Sequence, residues 1–478
     1  MPAPFATESR MRITIIGAGF SGSALAIELA RSANANVDIC LAGIGSSYAR
    51  GVAYGDARPE HMLNVRARYL GVTADYPGDF ADWLSLSEAA RDRFLPRLIY
   101  GEYLHSRLCA AAELSRATLS RIEQEVIEVE RLDQGFRLHL ADGGAFFSDQ
   151  VVLATGALPP QALTGVGPAL SVHPSYIAWP WREGALERIE PSARVLIIGT
   201  GLTMADVVVT LRKRGHRGQI HALSRHGLLP CPHGELPPPP IGLPPVVLHA
   251  LNQRDLRLLV NKLRTLSAIV PDWRSLIDAM RPYLQDFWRG LPMAERARFL
   301  RHLRPYWEVV RHRLAPTVSE DIAALRDAGQ LRIRSGRLLR ARRLDDGIVA
   351  SIRERGQCDV SNEQFDVLVR ATGFDTDVER TPDPLISNMR DSGLLAADPL
   401  GLGVRVTEHF GVLDRAGRSV PGLHALGPLL RSQLWEITAI PELRVAASAL
   451  ARKVLARGGL ASRDSGTRMA YSRRVSQR

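Results

Sequence analysis

Two short glycine-rich segments of the sequence have the residue spacing of turns that bind a diphosphate. In the first, a β-branched run at 13–16 precedes Gly17, Gly19 and Gly22, and a helical apolar pattern follows at 24–29. The first glycine of such a turn permits the tight bend, the second lets backbone approach the pyrophosphate, and the third lets helix pack on strand. The helix N-terminus then presents free N–H groups to the phosphates. The predicted site comprises Gly17, Gly19, Phe20, Ser21 and Gly22.

The same order of elements returns in the middle of the chain. A run at 195–198 leads into Gly199 and Gly201, and a helical pattern continues at 205–211, with Met204 in place of the third glycine. The next apolar run ends at Ser224, and Arg225 follows, where a guanidinium suits a ribose 2'-phosphate. NADPH is therefore favoured over NADH. The alternative is that Arg225 is an ordinary surface residue at the end of a strand, in which case NADH also fits. The predicted second site comprises Gly199, Thr200, Gly201, Thr203 and Arg225.

Two further features concern the ends of predicted strands. Apolar runs finish in Thr155-Gly156 and in Thr372-Gly373, and each is expected to close one nucleotide-binding domain. The run at 37–41 departs from the usual pattern, because Ala42 stands where an acidic residue normally holds the ribose. We therefore expect the ribose contact at the first site to come from another part of the chain.

Composition limits the classes of protein that fit. The 478 residues, 45% of them hydrophobic, suffice for two or three domains, and no apolar run resembles a signal or a membrane span, so a cytoplasmic enzyme is expected. The net charge of +11 comes from scattered arginines, which suit phosphate-bearing cofactors better than nucleic acid. No histidine spacing predicts a metal site. The four cysteines contain no close pair that could relay electrons.

These elements predict an α/β fold with two Rossmann-like dinucleotide-binding domains, the first interrupted by the second, and a helical insertion. A proline-rich stretch around 237–240 opens the insertion, in which aromatic and aliphatic residues recur at helical spacing. The expected ranges are 1–160 for the first part of the FAD domain, 190–345 for the NAD(P)H domain with its insertion at about 240–330, 346–455 for the second part of the FAD domain, and 456–478 for a disordered tail.

Several longer segments resemble a known family. They include Gly51-Val-Ala-Tyr54, His61-Met-Leu-Asn64-Val65, Asp79-Phe80, Pro96-Arg97, Arg298-Phe299-Leu300-Arg301-His302, Leu426-Gly427-Pro428-Leu429, Trp435-Glu436 and Pro441-Glu442-Leu443-Arg444. In these segments the sequence resembles bacterial FAD/NAD(P)-binding proteins, a family distantly similar to flavin N-hydroxylating and Baeyer–Villiger monooxygenases. The resemblance covers nearly the whole chain to about residue 450.

The resemblance implies FAD and NADPH as cofactors and a monooxygenase reaction, in which reduced flavin forms a C4a-peroxide with O2 and oxygenates a small nucleophilic or carbonyl substrate. It also implies that Gly427, Pro428 and Leu429 return to the flavin and that Asn64 approaches the isoalloxazine, although Asn64 also suits a loop-capping role.

We take Asn64, Asp278 and His312 as the candidate catalytic residues. The competing interpretation for Asp278 is a helical ion pair with Arg281. A flavin reductase or oxidase, or a redox-silent regulatory flavoprotein, stays an alternative function, and the sequence leaves the oligomeric state open.

Overall fold

The computed structural model describes residues 10–45, 48–345 and 347–456. The predicted disordered tail lies outside this part of the chain, apart from Ala456 at the end of the last helix. The strands are β1 (Met11–Ile16), β2 (Val37–Ala42), β3 (Thr118–Ile122), β4 (Val126–Arg131), β5 (Phe136–Leu140), β6 (Ala145–Ser148), β7 (Gln150–Leu153), β8 (Tyr176–Ile177), β9 (Val195–Ile198), β10 (Ile220–Ser224), β11 (Leu331–Leu344), β12 (Gly347–Glu354), β13 (Ser361–Phe365), β14 (Val367–Arg370), β15 (Gly411–Leu413) and β16 (Ser419–Ala425). The helices are α1 (Phe20–Ser32), α2 (Gly51–Gly55), α3 (Asp79–Trp83), α4 (Arg97–Leu114), α5 (Pro168–Ser171), α6 (Leu202–Lys213), α7 (Pro245–Asn252), α8 (Leu256–Ser267), α9 (Trp273–Gly290), α10 (Met293–His302), α11 (Arg304–Arg311), α12 (Pro316–Asp327), α13 (Pro384–Asp391) and α14 (Ile440–Ala456).

The first sheet has the strand order β15-β16-β7-β1-β2-β3. Its strands are parallel except for β15, which runs antiparallel to β16. Strands β1 and β7 are mostly apolar and, apart from Met11 and Arg12, buried, as expected for parallel strands covered on both faces. Helices α1, α4 and α14 pack together against this sheet. Because β16 comes from the C-terminal part of the chain and pairs with β7, the first domain is interrupted as predicted.

The second sheet has the strand order β13-β12-β11-β10-β9-β14-β8. Strand β11 pairs in parallel with β10 at its start and antiparallel with β12 at its end. The hairpin of β12 and β13 and the strand β14 therefore belong to this sheet, which reaches Arg370. Residues 347–370 therefore lie in the second sheet and not, as the sequence predicts, in the first domain. A hairpin without a glycine-rich turn carries no local sequence signal of the sheet that it joins.

The helical insertion consists of α7 to α11. Its apolar residues form a core of their own, to which Leu402 and Trp435 also contribute. Helix α12 instead packs against α6 and β11 of the second sheet, so the insertion ends before residue 316, earlier than the expected 330. The predicted α/β class with two dinucleotide-binding domains is confirmed. Among the described residues, no helix is long and apolar enough to span a membrane.

Candidate functional site

The first glycine-rich turn has the geometry that a diphosphate cradle requires. Gly17 has φ +108, and a Cβ there would lie 2.3 Å from the Ala154 oxygen. A Cβ on Gly22 would lie 1.9 Å from the Gly17 oxygen, so both positions demand glycine for packing. At Gly19, which precedes α1, the nearest atom to an added Cβ is the Gly51 Cα at 3.6 Å. The space in front of Gly19 is therefore open to a ligand.

A cleft of about 600 Å³ lies at the C-terminal ends of β1, β2 and β7. It brings together most of the residues predicted for the first site, and we call it the flavin cleft. Its lining includes Gly17, Gly19, Phe20, Ser21, Thr155, Gly156 and Pro428. The Thr155 hydroxyl is buried and has no hydrogen-bond partner within the described residues. Buried hydroxyls normally have a partner, so a bound ligand is expected to supply one here. Gly22, Gly427 and Leu429 are not in the lining. Gly22 packs against Gly17, and Gly427 packs against Ser21.

The adenosine end of the flavin cleft lacks the usual acid, as the sequence predicts. Ala42 and Gly43 line the cleft after β2. Glu125, which follows β3, lines the same cleft and brings a carboxylate to this side. Glu125 was not predicted from the sequence, because it follows β3, whereas the motif places the acid after β2.

The second glycine-rich turn repeats the geometry of the first. Gly199 has φ +118, and a Cβ there would lie 2.2 Å from the Ala371 oxygen, while Gly201 at the start of α6 has no atom within 4 Å. Thr372 and Gly373 follow Ala371 at the end of β14, just as Thr155 and Gly156 follow Ala154 at the end of β7. The two Thr-Gly pairs therefore occupy equivalent places, each beside the first glycine of its domain.

Two side chains at the second turn are engaged within the protein. The Thr200 hydroxyl is 2.6 Å from the Leu228 oxygen and 2.9 Å from Ser224 Oγ, so its proton is donated within the protein. Contact between Thr200 and a cofactor stays a prediction. Met204 is fully buried and fills the space beside β9 that a third glycine would leave empty. Arg225 is exposed directly after β10, where a ribose phosphate is expected.

A second cavity, of about 610 Å³, lies between the two domains and the insertion, and we call it the central cavity. It shares Ala53, Tyr54, Phe374 and Thr438 with the flavin cleft, so the two spaces adjoin. Leu202 and Thr203 from the second glycine-rich turn also line it. The three candidate catalytic residues, distant in sequence, meet there as well: Asn64, Asp278 and His312.

The contacts of these candidates are specific. The backbone carbonyl oxygen of Asn64 lies 3.0 Å from His233 Nε2. Burial lowers the pKa of His233 to about 4, so this imidazole is neutral and donates the hydrogen bond. Asp278 pairs with Arg313 at 3.0 Å, not with Arg281 as considered from the sequence. His312 Nε2 lies 3.2 Å from Glu308.

An ion pair between the domains also lines the central cavity. Arg97 at the start of α4 forms two hydrogen bonds to Asp206 of α6, at 2.8 and 3.2 Å. Burial raises the pKa of Asp206 to about 6, against the opposing effect of Arg97. Close by, His61 Nε2 lies 2.9 Å from Thr210 Oγ1, and burial and Arg97 lower the pKa of this histidine to about 3. The Arg97–Asp206 ion pair and the neutral His61 imidazole therefore both connect the first domain to α6.

Comparison with known proteins agrees with this geometry. Residues 14–158 match the model of a family described as FAD-NAD(P)-binding. The chain carries an FAD-NAD(P)-binding domain, and the prediction of FAD and NAD(P) as cofactors is confirmed. No curated protein matches the sequence significantly. Among the described residues, no group of three or more histidines, cysteines or carboxylates is arranged to hold a metal ion.

Solved structures show the same fold at low sequence identity. Ornithine hydroxylase from Pseudomonas aeruginosa is 16% identical, and the similarity covers 93% of this chain and 98% of that chain with a TM-score of 0.61. L-lysine 6-monooxygenase from Pseudomonas syringae is 17% identical, and the similarity covers 94% of this chain and 99% of that chain with a TM-score of 0.63. The cadaverine monooxygenase DfoA from Erwinia amylovora is 15% identical, and the similarity covers 94% of this chain and 95% of that chain with a TM-score of 0.63. The protein thus has the two-domain fold of FAD/NAD(P) oxidoreductases.

Proposed function

We propose that this protein is an FAD-dependent monooxygenase that uses NADPH and O2 to oxygenate a small amine. One observation carries the proposal: the central cavity adjoins the flavin cleft, receives the second glycine-rich turn and presents polar side chains from the insertion. A hydride donor, a flavin and a third molecule therefore have room to meet. The named substrates of three structurally similar enzymes, ornithine, lysine and cadaverine, are all amines.

The residues present fit both cofactors. Gly17, Gly19 and Gly22 form the cradle for the FAD diphosphate, with the unpartnered Thr155 hydroxyl at its edge. Gly199 and Gly201 form the corresponding cradle for NADPH. Bound FAD would accept a hydride from NADPH and supply the activation of O2. The task of the chain itself is to hold the partners in contact and to shape the space around them.

Asp278 is the residue best placed to recognise an amine. Its side chain is 39% exposed and lines the central cavity, whereas its partner Arg313 is 3% exposed. The buried guanidinium fixes the carboxylate from behind with hydrogen bonds of 3.0 and 3.2 Å. The exposed side of the carboxylate can then accept hydrogen bonds from an ammonium group and hold the amine in the central cavity.

His312 and the proline-rich stretch complete the wall of the central cavity. The imidazole is held by Glu308, whose pKa lies below its ordinary range because of His312 and Arg431. Pro237, Pro238, Pro239 and Pro240 line another side and lack backbone N–H groups. This side of the cavity therefore offers water no backbone N–H donor, which favours the exclusion of water there.

The experiment is a stoichiometry measurement on the purified FAD-loaded protein with ornithine, lysine and cadaverine. A monooxygenase forms one hydroxylated product for each NADPH consumed with a substrate amine. Hydrogen peroxide equal to the NADPH consumed with every amine would point to an oxidase, and no NADPH consumption would point to a redox-silent flavoprotein. Cyclohexanone serves as the probe of carbonyl oxygenation.

The cysteines of this chain do not fit a dithiol reductase. The thioredoxin reductase of T. acidophilum is similar in fold, at 12% identity over 93% of this chain and 97% of that chain with a TM-score of 0.51. A disulfide relay needs two neighbouring cysteines. All four cysteines here are unpaired: Cys40, Cys109, Cys231 and Cys358.

A further inference from the structure

The helical insertion encloses a third cavity, which the chemistry proposed above does not use. Its volume is about 370 Å³, and we call it the insertion cavity. Helices α8, α9, α10 and α11 form its walls, and Trp435 closes one side. Its lining is dominated by large apolar residues, among them Leu259, Met280, Leu284, Trp288, Trp307 and Trp435.

Helix α9 separates the insertion cavity from the central cavity. Leu276, Met280 and Leu284 recur every four residues and face the insertion cavity. Asp278 and Arg281 lie on another face of the same helix and line the central cavity. A molecule in the insertion cavity is therefore on the far side of α9 from the flavin.

The polar groups of the insertion cavity lie at its rim. Arg264, Ser267 and Tyr306 belong to the lining and are all exposed. The indole N–H groups of Trp288 and Trp307 bond outward, to the Ser432 carbonyl at 3.1 Å and to Glu436 at 3.0 Å. These two indole N–H groups are therefore not free donors in the interior of the cavity.

The size of the insertion cavity is the evidence that it holds a ligand. Protein cores pack as densely as organic crystals and leave few voids larger than one water molecule. Cavities of roughly 300 to 1,000 Å³ with apolar walls and few polar groups are typical of small-molecule sites. An apolar interior of this size is also a poor place for water, because water needs two or more polar partners.

We propose that the insertion cavity binds a free fatty acid, with its chain among the tryptophans and its carboxylate on Arg264. Arg264 has no ion-pair partner in the part of the chain that the structure describes, whereas Arg274, Arg281 and Arg289 of the insertion each have one. A carboxylate at the rim supplies that partner, and the aliphatic chain fills the space that no side chain fills. The site does not depend on the reaction proposed for the central cavity.

The test is equilibrium binding of octanoate, dodecanoate and hexadecanoate to the FAD-loaded protein, with dodecanol as the uncharged probe. Four tryptophans line the insertion cavity, so intrinsic fluorescence reports binding, and calorimetry gives the affinity and stoichiometry. Each added methylene should strengthen binding about fourfold until the cavity is full. One molecule should bind per chain. No saturable binding of dodecanoate would overturn the proposal.

Four variants separate binding at this cavity from nonspecific hydrophobic association. Arg264→Gln should weaken the binding of dodecanoate about tenfold and leave the binding of dodecanol unchanged. Arg257→Gln, two turns earlier on the same helix and outside the cavity lining, should change neither. Val260→Phe, at a partly buried wall position, should weaken both probes, and Met280→Trp should do the same if it folds. Equal effects of Arg264→Gln and Arg257→Gln, or unchanged binding in Val260→Phe with native flavin content, would overturn the proposal.

Discussion

Replacement of Gly19 by valine should remove FAD binding and leave the fold intact. Gly19 has φ −82, which valine tolerates, and an added Cβ has only the Gly51 Cα nearby at 3.6 Å. The position precedes α1, where a β-branched residue is a poorer cap than glycine, so we expect a stability loss of about 1 kcal/mol.

The effect on FAD is much larger, because the valine side chain occupies the space in front of the helix N-terminus. Loss of two charge-assisted hydrogen bonds to the diphosphate, at about 1.5 to 3 kcal/mol each, weakens binding roughly 10²- to 10⁴-fold. Apoprotein titrated with FAD, followed by quenching of flavin fluorescence, measures this change. Circular dichroism and thermal unfolding of the apoprotein report the fold.

The second glycine-rich turn supplies a matched control. Gly201 has φ −86 and no atom within 4 Å of an added Cβ, so Gly201→Val makes the same change at the equivalent place. It should abolish reduction of bound FAD by NADPH and leave FAD affinity unchanged. Gly22→Val, by contrast, should disrupt the fold, because a Cβ would lie 1.9 Å from the Gly17 oxygen. FAD affinity within threefold of wild type in Gly19→Val would refute the assignment of the cleft.

The remaining predictions concern the second turn, the ion pair between the domains and the insertion. Arg225→Ala should raise the KM for NADPH about 10- to 100-fold and that for NADH less than twofold; equal changes would remove the 2'-phosphate role. Because the pKa of Asp206 is raised from 3.8 to about 6, the folded protein binds this proton more tightly than the unfolded chain does. The free energy of unfolding should therefore fall by about 2 kcal/mol as the pH rises from 4 to 6. Denaturant titrations across that range should show this loss in wild type and not in Asp206→Asn; parallel curves would contradict it. Asp278→Asn should raise the KM for the amine about tenfold with unchanged flavin content, and His312→Gln should lower the product formed per NADPH; loss of FAD from either variant would indicate a structural role.

The parts of the site that sequence predicts well are those set by local backbone geometry. Gly17 and Gly199 both have strongly positive φ and meet a carbonyl of the neighbouring strand, and their spacing to the following helix is written in consecutive residues. The Thr-Gly strand ends after β7 and β14 are equally local. The two parallel sheets follow from the apolar runs that lead into these turns.

The parts that sequence predicts poorly depend on contacts between distant segments. Arg97 and Asp206 are 109 positions apart, and no spacing rule connects them. Asp278 has Arg281 one helical turn away and yet pairs with Arg313 from beyond the next two helices. Residues 347–370 join the second sheet through β11, which pairs with β10 at its start and with β12 at its end. Composition does not indicate so long a strand. Helical periodicity identifies the faces of α8 and α9 but not the space between them.

The placement of β16 beside β7 has a consequence for synthesis on the ribosome. Strand β7 ends at Leu153, and its neighbour β16 begins only at Ser419. At about 5 to 20 residues per second, the edge of β7 stays unpaired for some tens of seconds while the second domain and the insertion emerge. An open edge of apolar strand is a place where chains pair wrongly with one another. The protein should therefore depend on a holding chaperone during synthesis, and truncation before β16 should give insoluble product.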